Sequence, residues 1–481
     1  MMKRRDALKT IGGLAGAAGM ARFLPGCDGG DDGPVGITNY VYLMLENRTY
    51  DHVLGARAME GLGGDGLRAG MTNPDMNGNP VGLFIPDALS ECALDPPHEW
   101  DPSHASWNNG AMDGFLKAHQ LRHASTGAKE PMQYLTRAQI PVTWALADAY
   151  TTCDRWFASV MGPTFPNRSY WHTGTSFGLD NNTAILARFS DGLPGPSIYN
   201  RLDDAAVDWA FYYGSYAVAG LLGKQGPYQL DLGPDDGTGR LRRFGDPQFG
   251  TGQFFRDAAA GKLPTVVYID PTFDQNDDHP PVHPILAQQL IASIYIALAK
   301  SPQWKNTLFV ITYDEHGGFF DHVSPPQTTD DTLAKYGVPG FQQLGFRVPA
   351  LVMGPYAKQG YVSSVQYDHT SALKHLQSTF GLESLTPRVD AANDLSDCID
   401  MERLARGEPA APIELPEINV DDWPYNDAGC HGGPSFHKGP LHEWLDANPG
   451  KWDPAYDIRG TDPEQRVIRD FLRQHQARRR R

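Results

Sequence analysis

Uninterrupted apolar, β-prone runs recur along the chain and alternate with amphipathic stretches. The runs cover residues 40–45, 265–269, 307–312 and 348–353. Runs without polar alternation are typical of strands that are buried on both faces. Between them, the clearest helical stretch is 285–300, where one face carries Leu286, Leu290, Ile294 and Leu298. This alternation predicts an α/β fold with a central sheet and helices on both of its faces.

Polar residues follow three of these predicted strands directly. Glu46 and Asn47 follow the first run, Asp270 follows the second, and Asp314 and Glu315 follow the third. In open α/β sheets the ligand crevice lies outside the carboxyl ends of the strands, so we expect these side chains to meet there. Their oxygens suit a divalent cation such as Mg²⁺, Ca²⁺ or Mn²⁺. The alternative for each acidic pair, taken alone, is a helix cap or a surface ion pair.

Composition narrows the functional classes. The 481 residues include 41 Lys+Arg against 57 Asp+Glu, a net charge of −16 that repels nucleic-acid phosphates, so we expect no nucleic-acid partner. Beyond the N-terminus, no window approaches the roughly 20 consecutive apolar residues of a membrane span, which excludes a transporter. No protein partner is indicated.

The N-terminus carries an export pattern. Residues 3–9 (KRRDALK) contain a twin arginine, and the weakly apolar run 11–20 follows, which together predict a twin-arginine export signal over 1–27. The segment LPGC, ending at Cys27, resembles a bacterial lipoprotein box, and the acidic, glycine-rich composition of 28–36 predicts a flexible linker. We therefore expect a periplasmic or extracellular protein, tethered to a membrane through lipidated Cys27. The alternative to the export signal is an ordinary basic N-terminal arm. The alternative to the lipoprotein box is an incidental thiol at Cys27.

The other four cysteines are an even number in a chain expected to be exported. This predicts two disulfides, with three pairings open. Their spacing along the sequence favours Cys398 with Cys430 and Cys92 with Cys153. The alternative is four buried free thiols.

Four segments together resemble a known family. They are ENRTYDH from residue 46, GPTFPNR from 162, YDEHGGFFDHV from 313 and YDHTSALKHLQSTFGL from 367. In this order they resemble the bacterial phospholipase C and acid phosphatase family of phosphoesterases, part of the alkaline-phosphatase-like superfamily. The resemblance covers residues 37–385. It implies a catalytic domain there with a mostly parallel sheet, and a loop-rich extension over 386–481 that packs on the core.

The resemblance also implies the chemistry. One divalent metal ion, whether Ca, Mg, Mn or Zn, would be held by Glu46, Asn47, Asp314 and Glu315, with Thr164 as its nucleophilic ligand. A bound cation favours the threonine alkoxide and offsets charge on the phosphoryl oxygens. A phosphothreonine would form as an alcohol departs, and water would then hydrolyse it. Threonine in place of serine favours the phospholipase branch.

Histidines would complete the site. The resemblance implies proton transfer by His98, His279 and His369, and substrate contacts from Asn167, Arg168 and His283. A second metal held by His279, His283 and His369 is an alternative, as is a structural role for each histidine.

The function predicted is that of an exported metal-dependent phosphoesterase, which cleaves the head-group phosphodiester of a substrate such as a phospholipid. The alternatives are an acid phosphatase acting on phosphomonoesters, and a catalytically dead, ligand-binding lipoprotein. Four tryptophans near the motifs could cage a choline head group, although core packing is the commoner role of such residues: Trp100, Trp107, Trp156 and Trp171.

Overall fold

The structure, a computed structural model, describes residues 36–87, 93–215, 217–222, 226–234, 237–247, 250–273 and 275–418. Its strands in chain order are β1 (Asn39–Leu45), β2 (Thr72–Pro74), β3 (Pro80–Gly82), β4 (Thr151–Cys153), β5 (Trp156–Phe157), β6 (Trp209–Tyr213), β7 (Leu241–Arg243), β8 (Val266–Asp270), β9 (Thr307–Tyr313), β10 (Ala350–Met353), β11 (Tyr361–Ser363) and β12 (Tyr367–Asp368).

Helices connect most of these strands. In chain order they are α1 (Tyr50–Val53), α2 (Ala56–Met59), α3 (Trp100–Trp107), α4 (Phe115–His123), α5 (Pro141–Ala149), α6 (Thr164–Thr173), α7 (Asn182–Asp191), α8 (Ile198–Asp204), α9 (Gln253–Ala259), α10 (Pro284–Ala299), α11 (Thr332–Tyr336), α12 (His369–Phe380), α13 (Pro387–Ala391) and α14 (Met401–Arg406).

One large sheet organises the fold. Its strand order is β11-β4-β10-β9-β1-β8-β6-β7. Strand β10 runs antiparallel to both of its neighbours, whereas the other pairs in this sheet are parallel. The four apolar runs of the sequence form β1, β8, β9 and β10, and the periodic stretch forms α10. The predicted α/β fold with a mostly parallel sheet is therefore confirmed.

Helices cover both faces of this sheet. On one face, Tyr42 of β1 stacks on Tyr268 of β8, and both rings meet Trp171 of α6 edge-on. On the other face, Ile311 of β9 lines one small cavity together with Thr143 of α5 and Ile291 of α10. Successive side chains of a strand point to opposite faces, so each central strand is buried on both sides. This double burial explains why these runs lack polar alternation.

The described part of the C-terminal extension lies on the core. Ala357 and Ile399 form an isolated bridge, and the Trp304 Nε1–H donates to Ala410 O at 3.1 Å. The Ile413 N–H donates to Tyr295 Oη at 2.8 Å. The domain boundary at 385 stays a prediction. The export signal, almost all of the linker, and residues 419–481 lie outside the described residues.

Within the residues that the structure describes, no helix has the length and apolar character that a membrane crossing requires.

The disulfide pairing that the sequence favours, Cys92 with Cys153 and Cys398 with Cys430, differs from the cysteine arrangement in the structure. Cys153 in β4 and Cys398 are both buried free thiols, with their Sγ atoms 3.8 Å apart. The fold brings these two residues together across a separation of 245 positions, because a short 3-10 helix that ends at Cys398 packs beside β4; their spacing along the sequence does not suggest this. The structure thus places Cys153 beside Cys398. Cys27, Cys92 and Cys430 lie outside the described residues.

Candidate active site

Three neighbouring strands end at one edge of the sheet and present acidic residues there. Glu46 and Asn47 follow β1, Asp270 ends β8, and Asp314 and Glu315 follow β9. All five side chains are buried. The parallel pairing of β9 with β1 and of β1 with β8 brings these ends together, as the sequence predicts.

Arg168 of α6 joins these carboxylates. Its guanidinium lies 3.2 Å from Glu46 Oε1, 3.0 Å from Asp270 Oδ1 and 3.6 Å from Asp314 Oδ2, and the side chain is fully buried. Burial raises the pKa of Asp270 to about 6, although the charge of Arg168 opposes this shift. In this structure the guanidinium contacts the carboxylates, and the substrate contact of Arg168 suggested by the sequence stays a prediction.

The loops after β1 and β9 interlock. Asn47 has a φ of 62°, and its backbone N–H donates to Asp314 Oδ1 at 3.0 Å. The N–H of Arg48 donates to Glu315 O at 3.1 Å. Gly317 has a φ of 60°, and a Cβ at this position would lie 2.1 Å from Asn47 O. Glycine is therefore required for this close approach.

Buried oxygens without hydrogen-bond partners collect in these loops and in α6. Among the described residues, no hydrogen-bond partner is found for Asn47 Oδ1, Thr164 Oγ1, Asp314 Oδ2 and Glu315 Oε1. Leaving such a group unpaired costs about 1–3 kcal/mol, which points to a missing ligand. Carboxylate, amide and hydroxyl oxygens are the donors that hard cations prefer. The residues present are thus compatible with a divalent cation.

Thr164 is the first residue of α6 and is 2% exposed. Pro163 before it is extended, and the N–H of Phe165 donates to Asn182 Oδ1 at 2.8 Å. These contacts fix the start of a ten-residue helix at the nucleophile candidate. The positive end of a helix favours negative charge, which suits an oxyanion or a phosphoryl group at Thr164.

Asn167 holds the loop that leads into this helix. Its Oδ1 accepts from the N–H of Val160 at 3.0 Å, and its Nδ2 donates to Gly162 O at 3.0 Å and to Pro163 O at 3.1 Å. The side chain is fully buried. Its bonds therefore go to the backbone beside Thr164, and its predicted contact with substrate stays a prediction.

His98 lies at the edge of the oxygen cluster. Its Nδ1 bonds to Pro96 O at 2.8 Å, and its Nε2 lies 3.3 Å from Asn47 Nδ2 and 3.9 Å from Glu315 Oε1. Gly318 allows the loop carrying His98 to pack closely, because a Cβ there would lie 2.7 Å from Pro97 O. The loop after β9 thus fixes His98 next to Glu315.

Negative charge surrounds His98. Burial opposes a charge on the ring most strongly, but the carboxylates of Glu315, Asp95 and Glu99 outweigh it and raise the pKa of His98 to about 10. Asp95 Oδ1 lies 3.5 Å from His98 Nδ1.

His279 faces His98, with ring centroids 5.8 Å apart. Its Nδ1 bonds to Pro280 O at 2.6 Å, and burial lowers the pKa of His279. Asp95, His98 and His279 each offer one ligand atom within 4.8 Å of the others. Asp95 is not among the residues predicted from the sequence; its signal there is an acid three positions before His98 in the segment DPPHEW.

His369 and His283 have different surroundings. His369 Nε2 donates to Asp314 O at 2.6 Å, and its Nδ1 accepts from Trp156 Nε1 at 3.4 Å. Burial lowers the pKa of His369 to about 4. His283 Nδ1 accepts from the N–H of Ile285 at 3.1 Å and caps α10. Both nitrogens of His369 thus have hydrogen-bond partners in this structure, and the alternative metal site with His279 and His283 stays a prediction.

The four tryptophans near the motifs divide into two pairs that differ in solvent exposure. Trp156 and Trp171 are 0% and 2% exposed and belong to the main core. Trp100 and Trp107 are half-buried on α3, and Trp100 lies against Gly162, two positions before Thr164. Of these four, Trp100 and Trp107 are therefore the ones accessible enough for a head-group contact.

Comparison with known proteins identifies relatives of the whole catalytic region. The sequence model of the phosphoesterase family matches residues 37–383. Phospholipase C B of Mycobacterium tuberculosis is 31% identical over 436 residues, covering 80% of this chain and 81% of that protein. Non-specific phospholipase C6 of Arabidopsis thaliana is 30% identical over 412 residues, covering 79% of this chain and 75% of that protein.

Among solved structures, a protein in the alkaline phosphatase superfamily from Vibrio parahaemolyticus aligns with a TM-score of 0.39 and 13% identity, over 75% of this chain and 70% of that chain. The match over residues 37–383, with relatives about 30% identical over most of their own length, shows that the chain belongs to the phosphoesterase family and is a hydrolase that acts on phosphate esters.

Proposed function

We propose that this chain is a metal-dependent phospholipase C that cleaves the head-group phosphodiester bond of a phospholipid through a phosphothreonine at Thr164. One observation carries the proposal. Four buried oxygens of the motif segments have no hydrogen-bond partner among the described residues, and one of them is Thr164 Oγ1 at the start of α6. The relatives named phospholipase C support the choice of a phosphodiester over a phosphomonoester.

The cation would be held by Glu46, Asn47, Asp314 and Glu315 together with the Thr164 hydroxyl. When bound, it favours deprotonation of that hydroxyl and offsets phosphoryl charge. Arg168, which contacts Glu46 and Asp314, would hold these two carboxylates in place.

The proposed reaction at Thr164 consists of two successive substitutions at phosphorus. Thr164 Oγ1 forms a bond to phosphorus while the bond to the diacylglycerol oxygen breaks, and the threonine proton ends on that alcohol. Water then attacks phosphorus, the Oγ1–P bond breaks, and the phosphorylated head group leaves as the hydroxyl regains a proton. The N-terminus of α6 would favour the anionic group throughout.

A substrate panel tests this proposal. We expect the purified protein to hydrolyse nitrophenyl phosphorylcholine, a diester, faster than nitrophenyl phosphate, a monoester. A chelator should abolish both activities, and an added divalent cation should restore them. Faster hydrolysis of the monoester would instead support the acid phosphatase, and inactivity towards both compounds at every metal tested would support a ligand-binding protein.

We also propose export through the twin-arginine pathway and a lipid tether at Cys27, on the sequence of residues 3–9 and the LPGC segment. Replacing Arg4 and Arg5 by lysine should retain the protein in the cytoplasm. Cys27→Ser should move it from the membrane fraction to the soluble one. Fractionation with immunoblotting measures both, and a Cys27→Ser protein that stays in the membrane fraction would contradict the tether.

A further inference from the structure

We propose that Cys153 and Cys398 form a disulfide bond when the protein meets a disulfide oxidant, and that this bond ties the C-terminal extension to the central sheet. Their Sγ atoms lie 3.8 Å apart, and both side chains are 0% exposed. The inference goes beyond the proposed function, since it holds for any reaction at Thr164. It selects one of the three cysteine pairings that the sequence leaves open.

Backbone contacts hold the two cysteines side by side. The N–H of Lys358 donates to Cys398 O at 2.9 Å, and the Thr151 hydroxyl donates to the same oxygen at 3.3 Å, which places the end of segment 395–398 against β4. A disulfide has an Sγ–Sγ distance of about 2.0 Å, so the sulfurs must approach by a further ~1.8 Å. Rotation about the two Cα–Cβ bonds moves each Sγ, and the backbone contacts can remain.

The surroundings of the two sulfurs suit a disulfide. Both cysteines belong to the main hydrophobic core, and Tyr367 Oη lies 3.6 Å from Cys398 Sγ. That hydroxyl also contacts Ser363 Oγ at 3.2 Å, so it keeps a hydrogen-bond partner once the weak thiol partner is oxidised. A disulfide carries no hydrogen-bond donor and is therefore compatible with this apolar position.

The bond would add a covalent link where the noncovalent contacts are partly exposed. Asp397, next to Cys398, accepts from Ser363 Oγ at 2.6 Å and pairs with Lys358 at 3.1 Å. The side chains of Lys358 and Asp397 are 33% and 32% exposed, so salt weakens this ion pair. A disulfide is insensitive to salt, and its closure across 245 positions would restrict the unfolded chain. The extension would thus stay attached where the ion pair alone holds it weakly.

Two thiol–disulfide exchanges with an oxidant such as glutathione disulfide form the bond. The thiolate of one cysteine attacks a sulfur of the oxidant, and one glutathione leaves and takes up a proton. The thiolate of the other cysteine then attacks the protein sulfur of this mixed disulfide, and the second glutathione leaves in the same way. Burial raises the pKa of the Cys153 thiol, so the exchange requires segment 395–398 to open and admit the oxidant.

Reduced full-length protein incubated in a glutathione redox buffer tests the inference. After alkylation in denaturant, we expect non-reducing peptide mapping to recover a linked pair of peptides that contain Cys153 and Cys398. The control Cys92→Ser should give the same linked pair. In that Cys92→Ser chain, oxidation should raise the melting temperature by roughly 2–5 °C, and the further change Cys153→Ser should abolish the rise.

Linkage of Cys153 to Cys92, or of Cys398 to Cys430, in place of the expected pair would overturn the inference. Alkylated thiols at both Cys153 and Cys398 after oxidation would overturn it too, as would a rise in melting temperature that persists in the double variant. The peptide map uses wild-type protein, so it decides the matter even where a serine variant fails to fold. Because the oxidant is added to purified protein, the result is independent of the proposed export.

Discussion

Thr164→Val is expected to fold normally and to lose at least about 1,000-fold in turnover, because it removes the nucleophilic oxygen and keeps nearly the same volume. The fold should tolerate this change, since no described residue hydrogen-bonds to Thr164 Oγ1. Steady-state kinetics with nitrophenyl phosphorylcholine and a thermal melting curve measure the two properties separately.

Thr164→Ser is the matched control. It keeps the hydroxyl at the start of α6 and should therefore retain measurable turnover. Trapping with labelled substrate followed by peptide mapping should place the phosphoryl group on residue 164 in wild type and in the serine variant. A Thr164→Val protein as fast as wild type would end the phosphothreonine mechanism.

Asp314→Asn is expected to weaken divalent-cation binding and hydrolysis together. Loss of an outer-sphere partner alone typically lowers metal affinity about 10–100-fold, so loss of an anionic ligand should lower it by at least about 100-fold. The asparagine can still accept through Oδ1 from the N–H groups of Asn47 and Glu315, now 3.0 and 2.7 Å from Asp314 Oδ1, so the loops should keep their conformation. Metal analysis, kinetics and circular dichroism test these three expectations.

Two further variants sharpen this experiment. Glu46→Gln should also lower metal affinity and activity, with Arg168 still paired to Asp270. Asp330→Asn is the control, because Asp330 is likewise a buried carboxylate paired with an arginine, Arg388 at 3.2 Å, but none of the proposed ligands contacts it. It should lower the melting temperature and leave metal content unchanged. Full activity in both Asp314→Asn and Glu46→Gln would show that these residues do not hold the cation.

The sequence predicts the centre of the fold well because long, doubly buried strands leave an apolar run of their own length. Strands β1 and β9 have seven residues each, and both were predicted to within one residue at either end. The edge of the sheet gives no such signal. β4 and β11 have three residues each, too few to show any periodicity, and long-range pairing alone defines them.

The same distinction holds for the site. Residues after long strands could be placed at one edge of the sheet from sequence alone, as Glu46 and Asp314 show. Asp95 could not, because it precedes two prolines in a loop without periodicity, and its partner His279 lies far along the chain. Arg168 shows a third case: the motif identifies it, but only the folded structure shows that its guanidinium contacts protein carboxylates.

Arg168 has a consequence for how the protein acquires activity. Carboxylates clustered without a counter-charge would repel one another and oppose burial, but here an internal guanidinium contacts three of them at once. In many small metalloproteins the ion itself drives folding, so the chain is unfolded until it is loaded. Arg168 supplies a counter-charge within the protein, so on the proposed mechanism the chain would fold without the cation and bind it afterwards. The metal content of its surroundings would then set the active fraction without setting how much protein folds.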